Sequence, residues 1–421
     1  MEAREVKRLA SISQIGKVTD AFYEELRHAP ENGKKVAWCG GYPTTFPILR
    51  AMDIAYLFED VYAATAAARH KESKLQQVSA DAGYLPEICS YARTTLGAAY
   101  FPEAEKAGAD PYYLMPKPDF LIYADIGCSM LTSWSDAGRR HFKTPMFAVV
   151  TPYVWTKADE QDSIHDLTRQ YGELVTFLED MTHRRLDWDR LRQVMANVKE
   201  AITYRIGAME TAGRAVPSPV TFFDWAASIG GVNYAIGTPL GVELFRNINT
   251  EVEQRVARKE GALPEERVRL YWEGHMCWPY MRWWGDTLAD LGVNIIAAKY
   301  THGHFFHRPD LIDPAKPLES LAANSVTHLS YSIDLLAEEI MRLCRDYSID
   351  AILCHYTRTC RIFPGPFFEV LDTVSRKLGI PGTFFEGDVA DASFFAPEQA
   401  RTRVEALVET VLARKADVAQ A

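Results

Sequence analysis

The chain has 421 residues, of which 48% are hydrophobic and 24% charged, which is enough for about two to three globular domains with their own cores. Its 46 basic and 56 acidic residues leave a net charge of −10 without any pronounced basic tract, which argues against nucleic acid as a partner. The first residues, MEAREVKRLASISQIGKV, lack the apolar centre of a secretory signal, and no run of about 18 apolar residues follows. We therefore expect a cytoplasmic protein with no membrane partner.

The first part of the chain alternates predicted helices and strands. Helices are predicted over 1–30 and 44–80, and over 84–97 with Pro86 in the first turn. Apolar segments rich in β-branched and aromatic residues predict three strands: KKVAWC (34–39), DFLIYAD (119–125) and TPMFAVV (144–150). This alternation is typical of an α/β domain with a parallel sheet.

A long helical stretch and a second alternation of predicted strands and helices follow. Helical spacing of apolar residues continues over 156–215 and, with glycine-rich breaks, over 220–262. The next predicted strands are RVRLYWEG (267–274), VNIIAAKY (293–300), DAILCHY (350–356) and IPGTFFEGD (380–388). The predicted fold class is therefore α/β, with two Rossmann/flavodoxin-like lobes of parallel sheet joined by a helical segment. The predicted domains are an N-terminal lobe carrying Cys89 and Cys128 (1–155), the helical segment (156–265) and a C-terminal lobe carrying Cys360 (266–421).

Six of the seven cysteines fall on or beside strand ends or helix starts, and only Cys344 is predicted to be a plain core residue of an amphipathic helix. The six are Cys39, Cys89, Cys128, Cys277, Cys354 and Cys360. Ligands of open α/β sheets bind beyond the carboxyl ends of the strands, so this placement favours a site, although strand ends are also buried.

A thiolate ligand needs a lowered pKa, and the first turn of a helix can provide it. Cys89, just after Pro86, has that predicted setting, and Cys128 precedes a predicted helix. No C-x-x-C occurs, so a zinc ribbon or a ferredoxin-type cluster is disfavoured. The fold would have to assemble any metal site from distant segments, and a set of buried thiols remains the alternative.

Around these cysteines the sequence resembles the benzoyl-CoA reductase and 2-hydroxyacyl-CoA dehydratase family. The matching segments, spread over about residues 35–410, are WCGGYPTTFP, LPEICSYAR, DIGCSMLTSW, HYTRTCR, and FFEGDVAD followed by RTRVEALVE. The resemblance implies that Cys89, Cys128 and Cys360 each bind one iron of a [4Fe-4S] cluster. It also implies an acyl-CoA substrate, a homologous second subunit and a separate ATP-hydrolysing iron–sulfur activator. The chain has no P-loop motif of its own.

Three further groups of residues are candidates for the site. The loop THGHFFH (301–307) could supply a proton from His302 or His304, although a solvated loop is the simpler interpretation. Several rings could wall an apolar pocket or could be core: Trp278, Tyr280, Trp283, Trp284, Phe305 and Phe306. The two acids that follow the last strand, in EGDVAD (386–391), could cap a helix, form salt bridges or act as general acids.

The preferred interpretation is the iron–sulfur subunit of an ATP-dependent oxidoreductase of the benzoyl-CoA reductase type, which reduces an aromatic acyl-CoA in one-electron steps. A 2-hydroxyacyl-CoA dehydratase, which is a lyase, is the nearest alternative. A double-cubane [8Fe-9S] reductase is another, with Cys39, Cys277 and Cys354 available as extra ligands. The alternative that is not an enzyme is a non-catalytic electron-transfer subunit, whose partner performs the reaction.

Overall fold

Two four-stranded parallel sheets form the frame of the computed structural model, which describes residues 6–41, 43–125, 128–303, 306–326, 331–362 and 364–420. The first sheet contains β1 (Val36–Gly40), β2 (Ala55–Phe58), β3 (Phe120–Asp125) and β4 (Met146–Val150). The second contains β5 (Val268–Glu273), β6 (Val293–Ala298), β7 (Ala351–Thr357) and β8 (Gly382–Gly387). Every neighbouring pair is parallel, and the strand order is β2-β1-β3-β4 in one sheet and β6-β5-β7-β8 in the other. The predicted fold class, with two parallel-sheet lobes, is confirmed.

Helices cover the sheets and connect them. Those of the first lobe are α1 (Ser13–His28), α2 (Phe46–Ala51), α3 (Glu59–Ala68), α4 (Glu72–Asp81), α5 (Ser90–Ala99) and α6 (Ser129–Phe142). The connecting helices are α7 (Glu160–Thr182), α8 (Trp188–Arg214), α9 (Phe222–Ala235) and α10 (Pro239–Ala257). The second lobe adds α11 (Met281–Asp290), α12 (Lys299–His302), α13 (Pro317–Ser325), α14 (Ile333–Asp346), α15 (Phe367–Leu378) and α16 (Pro397–Gln420). Throughout the described ranges, each helix is too short or too polar to cross a membrane.

The second sheet is buried on both faces, as is usual where helices cross over between parallel strands. Side chains alternate along β5, so Leu270 and Trp272 enter a core with α11 and α16, whereas Tyr271 enters one with α14 and α15. The core of the first sheet also contains buried residues of α7, α8 and α10, which pack against that lobe. The proposed domain boundaries at 155 and 265 stay a prediction.

Three local features differ from the sequence-based expectation. The four-residue strand β2 lies within the segment 44–80 that was expected to be mostly helical. The helix expected over 84–97 begins only at Ser90, so Cys89 is its N-cap and not part of its first turn. The glycine-rich break between α9 and α10 is confined to 236–238, and Gly230 and Gly231 lie inside α9.

The turn after β1 depends on glycine. Gly41 has a φ of 93°, and a Cβ atom there would lie 1.9 Å from the carbonyl oxygen of Ala124 in β3. Only glycine allows this approach between the ends of two adjacent strands. The end of β1 therefore packs closely against the end of β3 at the carboxyl edge of the first sheet.

Candidate functional site

Three cysteines from separate segments come together beyond the strand ends. Cys89 is the N-cap of α5, Cys128 is the N-cap of α6 directly beyond β3, and Cys360 follows the turn after β7. Cys128 and Cys360 are both close enough to Cys89 to influence its ionisation. All three are half-buried, whereas Cys39, Cys277, Cys344 and Cys354 are buried. The fold therefore groups two thiols of the first lobe with one of the second and leaves all three partly accessible.

The thiol of Cys89 is not acidic in the metal-free chain. Burial raises its pKa well above the usual value, and the neighbouring Cys360 raises it further. The backbone N–H of Ala92 in the first turn of α5 acts in the opposite direction but is outweighed. The expected lowering by the helix start is therefore wrong in sign, because burial dominates. A thiolate at Cys89 requires a cation to compensate its charge.

The three thiols do not form a compact site for a single metal ion. In the described segments, no three His, Cys, Asp or Glu side chains lie close enough together to hold one metal ion. In a cluster each thiolate binds a different iron, so its ligands stand farther apart than those of a single zinc ion. Three half-buried thiols from three separate segments fit the soft donor set of such a cluster.

Asp388, the residue after β8, connects the segments that carry Cys89 and Cys360. Its carboxylate accepts hydrogen bonds from Thr359 N at 2.9 Å and Thr359 Oγ1 at 2.7 Å, and from the hydroxyl of Ser90. Ser90 N in turn donates to Thr359 Oγ1 at 3.0 Å. Both of these side-chain partners of Asp388 are adjacent in sequence to a candidate ligand.

The segment after Asp388 makes a second set of contacts with the first lobe. Arg93 of α5 forms an ion pair with Asp391, and both side chains are largely buried. Gln76 of α4 donates to the carbonyl oxygen of Ala390 at 3.1 Å. The two acids that follow β8, Asp388 and Asp391, are thus buried structural groups that join the lobes, as the salt-bridge interpretation of the motif anticipated for Asp391.

Two acids at the start of α3 were missed from the sequence. Burial raises the pKa of Glu59 to about 8, with a further contribution from its neighbour Asp60. Burial also raises the pKa of Asp60 to about 6, although its carboxylate accepts a 2.9 Å hydrogen bond from Gly41 N. A Cβ atom on Gly40 would lie 3.1 Å from Glu59 Oε2, so this carboxyl lies against the end of β1. Glu59 is therefore a neutral acid at pH 7, located at the edge of the sheet that carries Cys128.

Of the rings considered from the sequence, Trp278 lies beside the cysteines. Its indole N–H donates to the hydroxyl of Tyr91, two residues after Cys89, at 2.7 Å. Tyr300 completes this group, with its ring 6.2 Å from that of Trp278. The feature that could have indicated Tyr91 and Tyr300 is their position, since each closely follows a predicted ligand or strand.

The other described rings of that group belong to packing. Trp284 is 1% exposed and contacts Trp272, Phe385 and Phe395, and Phe306 is fully buried in the core of the first lobe. Tyr280 packs against Phe395 with its ring tilted, and Trp283 packs against Phe395 edge to face. Phe305 lies outside the described residues. The number of rings therefore carries little information about the substrate.

His302 lies in a different environment from the three thiols. Burial lowers its pKa to about 3, helped by the nearby Arg205 guanidinium. It lines a cleft with Glu210, Arg342 and Tyr347. His302 is thus neutral at pH 7, and its assignment as a proton donor stays a prediction. His304, the second candidate, lies outside the described residues.

Two further histidines lie near strand ends, His355 buried and His275 half-buried. His355 of β7 donates from Nδ1 to the carbonyl oxygen of His275 at 2.7 Å. Burial lowers the pKa of His355 to about 4 and that of His275 to about 3. Both rings are therefore neutral at physiological pH and support the strand ends by packing.

The fold and site define an α/β protein of two parallel-sheet lobes with a cysteine group between them, and comparison with known proteins agrees with this class. A sequence model of the family described as 2-hydroxyglutaryl-CoA dehydratase, D-component, matches residues 42–411. The chain therefore belongs to this family.

Curated relatives match over nearly their full length. The chain is 26% identical to an (R)-phenyllactyl-CoA dehydratase alpha subunit of Clostridium sporogenes, covering 98% of both chains. It is 25% identical to the alpha subunit of an (R)-2-hydroxyglutaryl-CoA dehydratase of Acidaminococcus fermentans, covering 95% of this chain and 96% of the relative. It is 23% identical to a benzoyl-CoA reductase subunit of Thauera aromatica, covering 97% of this chain and 96% of the relative. These relatives belong to an enzyme family that acts on acyl-CoA thioesters. The three identities are too similar to assign the chain to the dehydratases or to the reductases.

Proposed function

We propose that this chain is the [4Fe-4S] subunit of an acyl-CoA enzyme that works with low-potential single electrons. Cys89, Cys128 and Cys360 would hold the cluster, which supplies electrons and a Lewis-acidic iron when bound. The observation that carries the proposal is the convergence of these three half-buried thiols from both lobes. Membership of a family of acyl-CoA dehydratases and reductases supports the choice of substrate class.

Other residues of the chain would assist the reaction. Glu59 keeps a proton at neutral pH because burial raises its pKa to about 8, so its carboxyl can donate to a reduced substrate. Tyr91 and Trp278 form a buried polar and aromatic wall next to Cys89. Such a wall excludes water and packs against the acyl group.

The first candidate reaction is the reduction of an aromatic acyl-CoA, as in benzoyl-CoA reductase. The thioester-activated ring would take up two electrons and two protons, giving a cyclic diene. The relative named as a benzoyl-CoA reductase subunit and the rings of Tyr91, Trp278 and Tyr300 beside Cys89 support this candidate.

The second candidate is the dehydration of a 2-hydroxyacyl-CoA, in which water leaves and no electron is consumed overall. The family description and the relatives named phenyllactyl- and hydroxyglutaryl-CoA dehydratase favour it. The double-cubane alternative receives less support, because Cys39, Cys277 and Cys354 are all packed inside the hydrophobic cores.

The activity would require partners. The relatives are named as subunits, and we propose a homologous second subunit together with an ATP-hydrolysing iron–sulfur activator. The reconstituted system, with ATP and a strong reductant, would be offered benzoyl-CoA and a 2-hydroxyacyl-CoA. Stoichiometric electron consumption with a cyclic diene product identifies the reductase, and water loss with only catalytic electrons identifies the dehydratase.

Two variants test whether the cysteine group is responsible. Cys360→Ala should abolish turnover of either substrate, whereas the matched core variant Cys344→Ala should retain it. Equal activity of both variants would contradict the proposal. Turnover with the reductant but without activator and ATP would contradict the partner requirement. If the partner subunit alone held an iron–sulfur cluster and turned over substrate, this chain would be a non-catalytic subunit.

A further inference from the structure

Asp388 has an unusual position for a carboxylate. Its side chain is fully buried, directly after the last residue of β8. The hydrogen-bond donors to its oxygen atoms are all neutral: the hydroxyls of Ser90 and Thr359 and the backbone N–H groups of Thr359, Ala390 and Asp391. A buried charge is costly unless it is hydrogen-bonded, and here five donors meet that need without a salt bridge among the described residues.

The two oxygen atoms of Asp388 bind the neighbours of the two cysteines separately. Oδ1 accepts from Ser90, which follows Cys89 at the start of α5, and from the backbone of 390–391. Oδ2 accepts from both the amide and the hydroxyl of Thr359, which precedes Cys360. A 3.0 Å hydrogen bond from Ser90 N to Thr359 Oγ1 links these two residues directly. Asp388, Ser90 and Thr359 therefore form a triangle of hydrogen bonds. One carboxylate is thus hydrogen-bonded to the residue after Cys89 and to the residue before Cys360.

We propose that Asp388 is a positioning residue for the metal site: it fixes Cys89 and Cys360 relative to each other across the two lobes and keeps a negative charge beside them. The inference rests on the proposed function, in which these cysteines are ligands. Groups that orient ligands contribute strongly to metal affinity, and nearby charge and hydrogen bonding set the reduction potential of an iron–sulfur cluster. Asp388 contributes to both.

Three variants separate the components of this role. Asp388→Asn keeps the side-chain shape, removes the charge and leaves an amide that cannot accept from all the donors. Thr359→Val removes the hydroxyl that both Asp388 and Ser90 contact, and Ser90→Ala removes only one donor. The matched control is Asp391→Asn, in the same buried segment, which breaks the ion pair with Arg93 but leaves the triangle intact.

The first readout needs no iron. In the iron-free chain, at an alkaline pH that offsets the raised pKa of Cys89, a short bifunctional thiol reagent should link Cys89 to Cys360, with the product mapped by mass spectrometry. We expect this cross-link in the wild type and in Asp391→Asn, and a strong decrease in Asp388→Asn and Thr359→Val. Unchanged cross-linking in both of the latter variants would overturn the positioning role, whether or not the chain binds iron.

The second readout uses the iron-loaded chain. Asp388→Asn should bind iron about 10- to 100-fold more weakly than the wild type, as is typical when a supporting group is lost. The cluster that remains should have a higher reduction potential, because a nearby negative charge disfavours the reduced state. Ser90→Ala should show a smaller loss of affinity and no comparable rise in potential, since the charge is retained. Wild-type affinity and potential in Asp388→Asn would overturn the inference, whereas an iron-free wild type would overturn the proposed function.

Discussion

Replacing Glu59 by glutamine should make the stability of the protein much less dependent on pH. The native carboxyl has a pKa raised from 4.5 to about 8 by burial, so the native state holds this proton more tightly than the unfolded chain. The stability that the protonated group contributes is complete below pH 4.5 and is lost as the pH rises through about 8. Glutamine keeps the shape of the neutral acid and has no proton to lose.

The expected magnitude follows from those two pKa values. Between pH 5.5 and pH 8.5, Glu59 should lower the free energy of unfolding by about 3 kcal/mol, and Glu59→Gln should lack this decrease. The variant should be the more stable protein by about 1 kcal/mol at pH 5.5 and by about 4–5 kcal/mol at pH 8.5. The assay is urea unfolding followed by tryptophan fluorescence at several pH values.

The matched control is Glu103→Gln, which changes an exposed glutamate in the same lobe. It reports the effect of a Glu→Gln change at an exposed position on the same unfolding curves. If Glu59→Gln ran parallel to the wild type, Glu59 would be ionised in the native state, and its role as a proton donor would have to be abandoned.

Three further outcomes test the packing and the histidine environment. Cys344→Ala should lower the free energy of unfolding by about 1–2 kcal/mol through a small cavity while iron content stays unchanged, measured by urea unfolding and iron analysis. Trp284→Ala should cost about 3–5 kcal/mol by the same unfolding measurement, because its ring is core, and a change in substrate preference without loss of stability would contradict this. The NMR signal of His302 should not titrate between pH 5 and pH 8, because burial lowers its pKa to about 3; the exposed His28, whose pKa Glu31 raises, should titrate as an internal control.

The architecture could be predicted because most strands are continuous apolar runs with a helix on either side. The strand β2 was not predicted, because only four residues, AYLF, form it and alanine-rich helical sequence follows directly. Pro86 suggested the start of a helix, but the structure begins that helix four residues later, with Cys89 as its N-cap. Short-range patterns therefore located most of the elements and misplaced some of their ends.

The site was predicted in part. The resemblance to a family pointed to Cys89, Cys128 and Cys360, and the structure brings them together, although their role as iron ligands stays a proposal. Glu59 was missed because a glutamate at a helix start usually lies on the surface and interacts with the helix dipole. Its burial arises from α6 and the end of β1, contacts that a single sequence does not reveal. The sequence could not distinguish Trp284, which is core, from Trp278, which lies beside the cysteines, because their contacts are also long-range.

The most direct test of the central claim is the iron and sulfide content per chain after anaerobic purification. The measurement would compare the wild type with Cys89→Ala, Cys128→Ala, Cys360→Ala and the core control Cys344→Ala. The account predicts about four irons per chain in the wild type and in the control, as expected for one [4Fe-4S] cluster, and loss of iron in each of the three ligand variants. Full iron content in all three ligand variants, or an iron-free wild type, would contradict it.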